Sequence, residues 1–120
     1  MANILIADDS ATETALISRV VSDMGHRSFT VASGQECLDK ADQLRPDLIL
    51  LDVVMPDLDG FNTCRRLKKN PLTANIPIVM VTSKNGESDR FWAERQGANG
   101  YITKPFEATH LGATIRHFVG

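Results

Sequence analysis

No segment of this chain is long and apolar enough to span a bilayer; its hydrophobic runs are strand-sized. The N-terminus lacks the charged-then-apolar pattern of a signal peptide. Cysteine is scarce: Cys37 and Cys64 fall in separate helical segments without metal-ligand spacing, so both are expected to be buried thiols in a reducing, cytoplasmic setting. The three histidines, His26, His110 and His117, form no cluster with acids or cysteines. No basic excess exists either. Thirteen Lys and Arg against fifteen Asp and Glu give a net charge of −2, which argues against nucleic acid and membrane surfaces as partners. Neither GxxxxGK[ST] nor GxGxxG occurs, so a bound nucleotide is not indicated. At 120 residues, 42% hydrophobic and 23% charged, the chain is expected to form one domain, 1–120, with no room for a second output domain.

What the chain does contain is alternation. Ile4–Ala7, Leu48–Leu51 and Ile76–Val81 are continuous apolar runs, the signature of strands buried on both faces. Residues 27–32 alternate with Phe29 and Val31 on one face, as on an edge strand, and Tyr101–Ile102 forms a short fifth strand. Helical spacing separates them. Ser10–Glu13 and Ser33–Glu36 are capping boxes. The first opens a helix with Leu16, Ile17, Val20, Val21 and Met24 on one face, stopping at Gly25. The second opens one with Leu38, Ala41 and Leu44, ended by Pro46. Phe61, Cys64 and Leu67 mark a third helix, Glu87–Gln96 a fourth, and Leu111, Ile115 and Phe118 a fifth. Five strands alternating with five helices imply an α/β fold: βαβ units around a doubly wound parallel sheet.

Ligands of such sheets bind beyond the carboxyl ends of the strands, and there the polar residues gather. Asp8 and Asp9 follow the first strand, Asp52 the third, Thr82 ends the fourth and Lys104 follows the fifth. Adjacent carboxylates repel unless a cation compensates. A small hard cation, Mg²⁺ above all, takes oxygen ligands and keeps several waters. Asp9 and Asp52 are placed to hold it directly, Asp8 through water, with a carbonyl from the loop after Asp52 completing the set. Lys104 and Thr82 add a positive charge and a hydroxyl, a combination suited to the equatorial oxygens of a phosphoryl group. Asp52, at the end of the central strand, is the candidate nucleophile for an aspartyl phosphate.

The segments ILIADDS, LILLDVVMPDLDG, VMVTS and GYITKPF, in this order, resemble the receiver domain of two-component response regulators along the whole chain, in a stand-alone CheY-like form. The resemblance implies a flavodoxin-like (βα)5 sheet of order 2-1-3-4-5, the order for which CheY is a standard example. It implies Mg²⁺ at Asp8, Asp9, Asp52 and the Val54 carbonyl. It makes Asp52 the phosphoacceptor, Thr82 the switch hydroxyl, Tyr101 the switch aromatic and Lys104 the phosphate-pairing lysine, aimed by a cis Lys104–Pro105 bond. A histidine kinase or phosphotransfer protein would then donate the phosphoryl group. The domain would catalyse its own phosphorylation and reset without being a turnover enzyme in the ordinary sense. The surface of the fourth helix, fifth strand and fifth helix would change shape to control a protein target. The segment KNGESDRFWAERQGANGYITKPF is similar to regulators of chemotaxis-like systems for twitching motility or phototaxis.

Two other readings stay open on the residues alone. An aspartyl-phosphate phosphatase would place its nucleophile after the first strand, but Asp8-Asp9 lacks the DxD spacing. A receiver-like module working without phosphorylation would keep the fold but not need the full set of acids, hydroxyl and lysine. Asp57 and Asp59 are expected to be turn acids beside Gly60. Phe91 and Trp92 fit either packing or a partner surface, and Ala11, Thr14 and Ala15 a low-relief docking patch.

Overall fold

A computed structural model describes all residues, 1–120. The elements run β1 (Asn3–Ala7), α1 (Ala11–Asp23), β2 (Arg27–Val31), α2 (Gly34–Leu44), β3 (Leu48–Leu51), α3 (Gly60–Lys69), β4 (Ile78–Thr82), α4 (Glu87–Arg95), β5 (Gly100–Thr103) and α5 (Ala108–Val119). All strand pairings are parallel, in the order β2-β1-β3-β4-β5. The expected doubly wound sheet is therefore present. No helix is long and apolar enough to cross a membrane.

Period-two alternation explains why the central strands are apolar throughout. Leu5, Ala7, Ile49, Leu51, Ile78 and Met80 point to one face, where they meet Cys37 and Ala41 of α2, Cys64 and Leu67 of α3, and Ala93 of α4. Ile4, Ile6, Leu48, Leu50, Val79 and Val81 point to the other, against Ile17 and Val21 of α1 and Leu111 and Ile115 of α5. Each fully buried Leu or Ile contributes roughly 1.5–3 kcal/mol relative to exposure. A charge at any of these positions would have no water on either side of the sheet. Strand β2, at the edge, is only half-buried, with Phe29 and Val31 packed inward.

Side chains fix where the helices begin. Ser10 accepts the Glu13 N–H at 3.3 Å, yet its own N–H is taken by Asp8 at 2.9 Å, so the first capping box is half-formed. Ser33 accepts the Glu36 N–H at 3.1 Å, and Glu36 reaches back to the Ala32 N–H at 3.3 Å. Asp59 caps α3 through the Asn62 N–H at 2.8 Å.

Three sequence expectations are corrected. Asp57 is not merely a turn acid: its carboxylate accepts the Gly34 and Gln35 N–H groups at 2.9 and 3.0 Å, capping α2 from another loop. Leu16 is 54% exposed, because the buried stripe of α1 runs through Ile17 and Val21, about 100° round the helix. Ile76 lies before β4, not in it. Lys68 takes the Ala74 and Ile76 carbonyls at 3.3 and 2.8 Å, holding this stretch as a turn, and Pro77 has no N–H to give a ladder.

Candidate functional site

Parallel strands bring every strand's carboxyl end to one edge, and the backbone then sets the depth of each site residue. The Asp8 N–H bonds the Val31 carbonyl of β2 at 3.1 Å. The Asp52 N–H bonds Ala7 of β1 at 2.9 Å, and the Lys104 N–H bonds Thr82 of β4 at 2.8 Å. Each residue is thus held just past its own strand by the last carbonyl of a neighbour. The Lys104–Pro105 bond is cis.

One carboxylate oxygen from each of Asp8, Asp9 and Asp52 lies within 4.8 Å of the others. Lys104 Nζ reaches Asp8 at 2.6 Å and Asp52 at 3.1 Å, and these are the only ion pairs in the molecule. Burial works to lower the lysine's pKa, but the hydrogen bond to Asp8 and the charges of Asp52 and Asp8 outweigh it, leaving the ammonium held above its ordinary range. The second oxygen of Asp8 accepts the Ser10 N–H, and that of Asp52 accepts the Val54 N–H at 3.2 Å. Asp9 is exposed and makes no hydrogen bond or ion pair within the chain. Neither does the Val54 carbonyl accept one.

Hard oxygens clustered around an acceptor-only carboxylate fit a small divalent cation such as Mg²⁺. The loop bearing Val54 is held from three directions. Gly60 N–H bonds the Val53 carbonyl at 2.8 Å, Asp57 ties the loop to α2, and Gly60 packs so closely on the Asp52 carbonyl and on Val53 Cα that a Cβ there would collide with both.

The predicted residues do not all meet. Asp8, Asp9, Asp52, Val54 and Lys104 line one open cleft, together with Ser83 and Glu13, which the sequence pattern did not single out. Ser83 is legible as the residue after β4. Glu13 reads as part of the capping box, but the Ser10 N–H that the box would have offered it goes to Asp8, and Glu13 is found among the residues lining the cleft. Thr82 is fully buried, and its hydroxyl accepts the Lys84 N–H at 3.3 Å. Tyr101 is half-buried, donating its hydroxyl to the Lys84 carbonyl at 2.6 Å with the Arg90 guanidinium 4.8 Å from its ring centre. Both side chains therefore grip the same residue of the β4–α4 loop. Burial, reinforced by the Asp89 charge, pushes the Tyr101 phenol above its usual range. The thiols are buried as expected. Burial raises Cys37 to about 12 and Cys64 to about 11.

Comparison with known proteins places this cleft in a familiar setting. The family model described as "Response regulator receiver domain" matches residues 4–116. The chain is 42% identical to Protein PilH of Pseudomonas aeruginosa, covering 96% of this chain and 95% of that one. Other curated relatives are longer, and the chain spans between 25% and 48% of their length. Among solved structures it is similar to the chemotaxis protein CheY4 of Vibrio cholerae, with a TM-score of 0.93, 31% identity and 99% of each chain covered. It is also similar to the receiver domain of sensor histidine kinase PA1611 of Pseudomonas aeruginosa, solved with a magnesium ion coordinated in its active site cleft. There the TM-score is 0.92 and the identity 28%, over 99% of this chain and 98% of that one.

Proposed function

The chain belongs to the response regulator receiver domain family of two-component systems, and on that premise we propose that Asp52 is its phosphoacceptor. The observation that carries this is the convergence of Asp8, Asp9, Asp52 and Lys104 at one strand edge, with the single ammonium shared by Asp8 and Asp52. A phosphohistidine of a histidine kinase or phosphotransfer protein is the donor. As an Asp52 oxygen bonds phosphorus in line, the phosphorus–nitrogen bond breaks and its electron pair returns to the imidazole. Lys104, already desolvated and charged, moves from Asp52 to a phosphoryl oxygen and neutralises it. Asp8 holds that lysine in place through its 2.6 Å bond.

Receiver domains generally bind Mg²⁺ at an acidic cluster of this kind. Here Asp9, Asp52 and the Val54 carbonyl would hold it, with Asp8 reaching it through water. When bound, the ion neutralises charge on the transferring oxygens. In the reset step water attacks phosphorus and the Asp52 carboxylate leaves, so the protein turns over only itself.

Switching is supported by the shared grip on Lys84. If the Thr82 hydroxyl turns to a phosphoryl oxygen it releases the Lys84 N–H, and the loop that also anchors Tyr101 is freed. Tyr101 then moves inward and the α4-β5-α5 surface changes for a protein target. This is a shift between two arrangements that the phosphoryl contacts favour unequally. The near end-to-end likeness to PilH supports residues 1–120 acting as one receiver domain in a chemosensory system, with control of twitching motility as the proposed setting.

The test is phosphorylation by acetyl phosphate with MgCl₂, read by intact mass. One phosphoryl group is expected on the native chain and none on Asp52→Asn. An adduct of equal occupancy in Asp52→Asn would refute the assignment, and a native chain that never takes one would favour a phosphorylation-independent module.

A further inference from the structure

One part of the acid cleft is fastened differently from the rest. Asp8, Asp52 and Lys104 are each set by a backbone bond to a neighbouring strand. The loop that offers the Val54 carbonyl has no such ladder, and residues 54–58 make no backbone–backbone hydrogen bond. Side chains hold it instead. Met55 is buried in the same apolar cluster as Leu51 and Val53. Asp57 is exposed, yet its carboxylate takes the Gly34 N–H at 2.9 Å and the Gln35 N–H at 3.0 Å. Leu58 rests on the same helix start, where a Cβ on Gly34 would collide with the Leu58 carbonyl and the Thr63 hydroxyl. That hydroxyl donates to the Asp59 carbonyl at 2.8 Å, so the loop is clasped between the first turns of α2 and α3.

Helix α2 does not depend on Asp57 for its local cap. Its capping box uses Ser33 and Glu36 and serves the Glu36 and Ala32 N–H groups. The Gly34 and Gln35 donors are left open by that box, and Asp57 takes these two from across the fold. An ionised carboxylate at the positive end of a helix makes a strong, directional tie. Asp57 lies outside the cluster formed by Asp8, Asp9 and Asp52, so it is no metal ligand itself.

We propose that Asp57 is a positioning residue for the metal site: by pinning the loop to α2 it holds the Val54 carbonyl for a small cation, and so favours Mg²⁺ over Ca²⁺. The proposal rests on Mg²⁺ binding by Asp9, Asp52 and the Val54 carbonyl, and not on phosphotransfer. Mg²⁺ demands near-octahedral oxygens at about 2.0–2.1 Å, whereas Ca²⁺ accepts longer and looser ones. A carbonyl on a slack loop therefore serves Ca²⁺ better than Mg²⁺. The coupling runs both ways. A cation on Val54 keeps the loop seated on α2 and protects the Gly34 and Gln35 amides.

The test titrates MgCl₂, and separately CaCl₂, into the full chain without phosphodonor, followed by amide NMR shifts. Asp57→Ala should weaken Mg²⁺ binding about tenfold and Ca²⁺ binding less. Asp57→Asn keeps one acceptor oxygen and should fall between. Ser33→Ala is the control: it strips the local cap of α2, so it should lower Tm and leave both affinities as they were. In the native chain Mg²⁺ should slow exchange of the Gly34 and Gln35 amides by about the factor lost in Asp57→Ala. Unchanged Mg²⁺ affinity in Asp57→Ala overturns the proposal. So does equal loss for the two ions, which simple removal of a charge would give, or equal weakening by Ser33→Ala. A native chain that binds neither ion removes the metal site itself, and the proposal with it.

Discussion

Replacing Asp9 with Asn should make the metal-free protein more stable. Asp9 makes no hydrogen bond or ion pair within the chain, so the folded state loses none when its charge goes. What it loses is repulsion. One oxygen of each acid lies within 4.8 Å of the others, and two unit charges at that limiting separation interact with about 0.9 kcal/mol in water and about 3.5 kcal/mol at an effective dielectric of 20. Asp9 faces both Asp8 and Asp52, giving roughly 2–7 kcal/mol before compensation. Attraction to Lys104 offsets part of this, the exposure of Asp9 favours the low end, and the unfolded chain keeps some Asp8–Asp9 repulsion. A net gain of about 1–2 kcal/mol remains. For a domain of this size that raises Tm by about 3–10 °C. The assay is thermal unfolding followed by circular dichroism, in EDTA and in excess MgCl₂. The native chain should gain about 2.7 kcal/mol at a metal concentration one hundred times its dissociation constant, and Asp9→Asn should gain far less. A lower Tm for Asp9→Asn in EDTA would refute the repulsion argument. A full Mg²⁺ response in the variant would remove Asp9 from the metal set.

Four further outcomes follow from other parts of the molecule. Gly60→Ala must push a Cβ into the Asp52 carbonyl and Val53, so it should cost about 1–3 kcal/mol in a urea melt and blunt the Mg²⁺-dependent gain as well. Arg45→Gly should stabilise by about 0.5 kcal/mol in the same melt. It relieves a left-handed backbone with φ of 49°, less the added freedom of glycine in the unfolded chain. Stability should fall as pH rises from the ordinary thiol value of 9.0 toward 11 and 12, because the unfolded chain releases its thiol protons before folded Cys64 and Cys37 do. Thiol reagents at neutral pH should accordingly report the opening rate of the fold. Asp57 behaves oppositely: backbone N–H bonds from Leu58, Gln35 and Gly34 hold its carboxyl below the usual range. Its contribution is present above the ordinary carboxylate range and lost in acid as the folded group protonates. Asp57→Ala should flatten that part of a pH-dependent melt.

The site and the fold are legible in the sequence to different depths. Acids and a lysine placed just after apolar runs are enough to name Asp8, Asp9, Asp52 and Lys104, because a parallel sheet sends every such position to the same edge. The order of strands is not derivable from periodicity and comes with the family resemblance. Asp57 escapes notice as a cap of α2 because its partners, Gly34 and Gln35, are far away in sequence and no local rule joins them. Leu16 is misplaced because a helical stripe can be drawn through either of two neighbouring residues until a sheet chooses one.

By itself the sequence determined which segments are strands buried on both faces, where helices can start, and which polar residues end up beyond the strands. Those depend on local period and on backbone hydrogen bonding, which neighbouring residues settle among themselves. Tertiary structure alone decided that one ammonium serves Asp8 and Asp52 while Asp9 stays unpaired, and that Thr82 and Tyr101 meet through the backbone of Lys84. Such relations are distances between segments remote in the chain, and they exist only once the sheet has fixed which strands are neighbours.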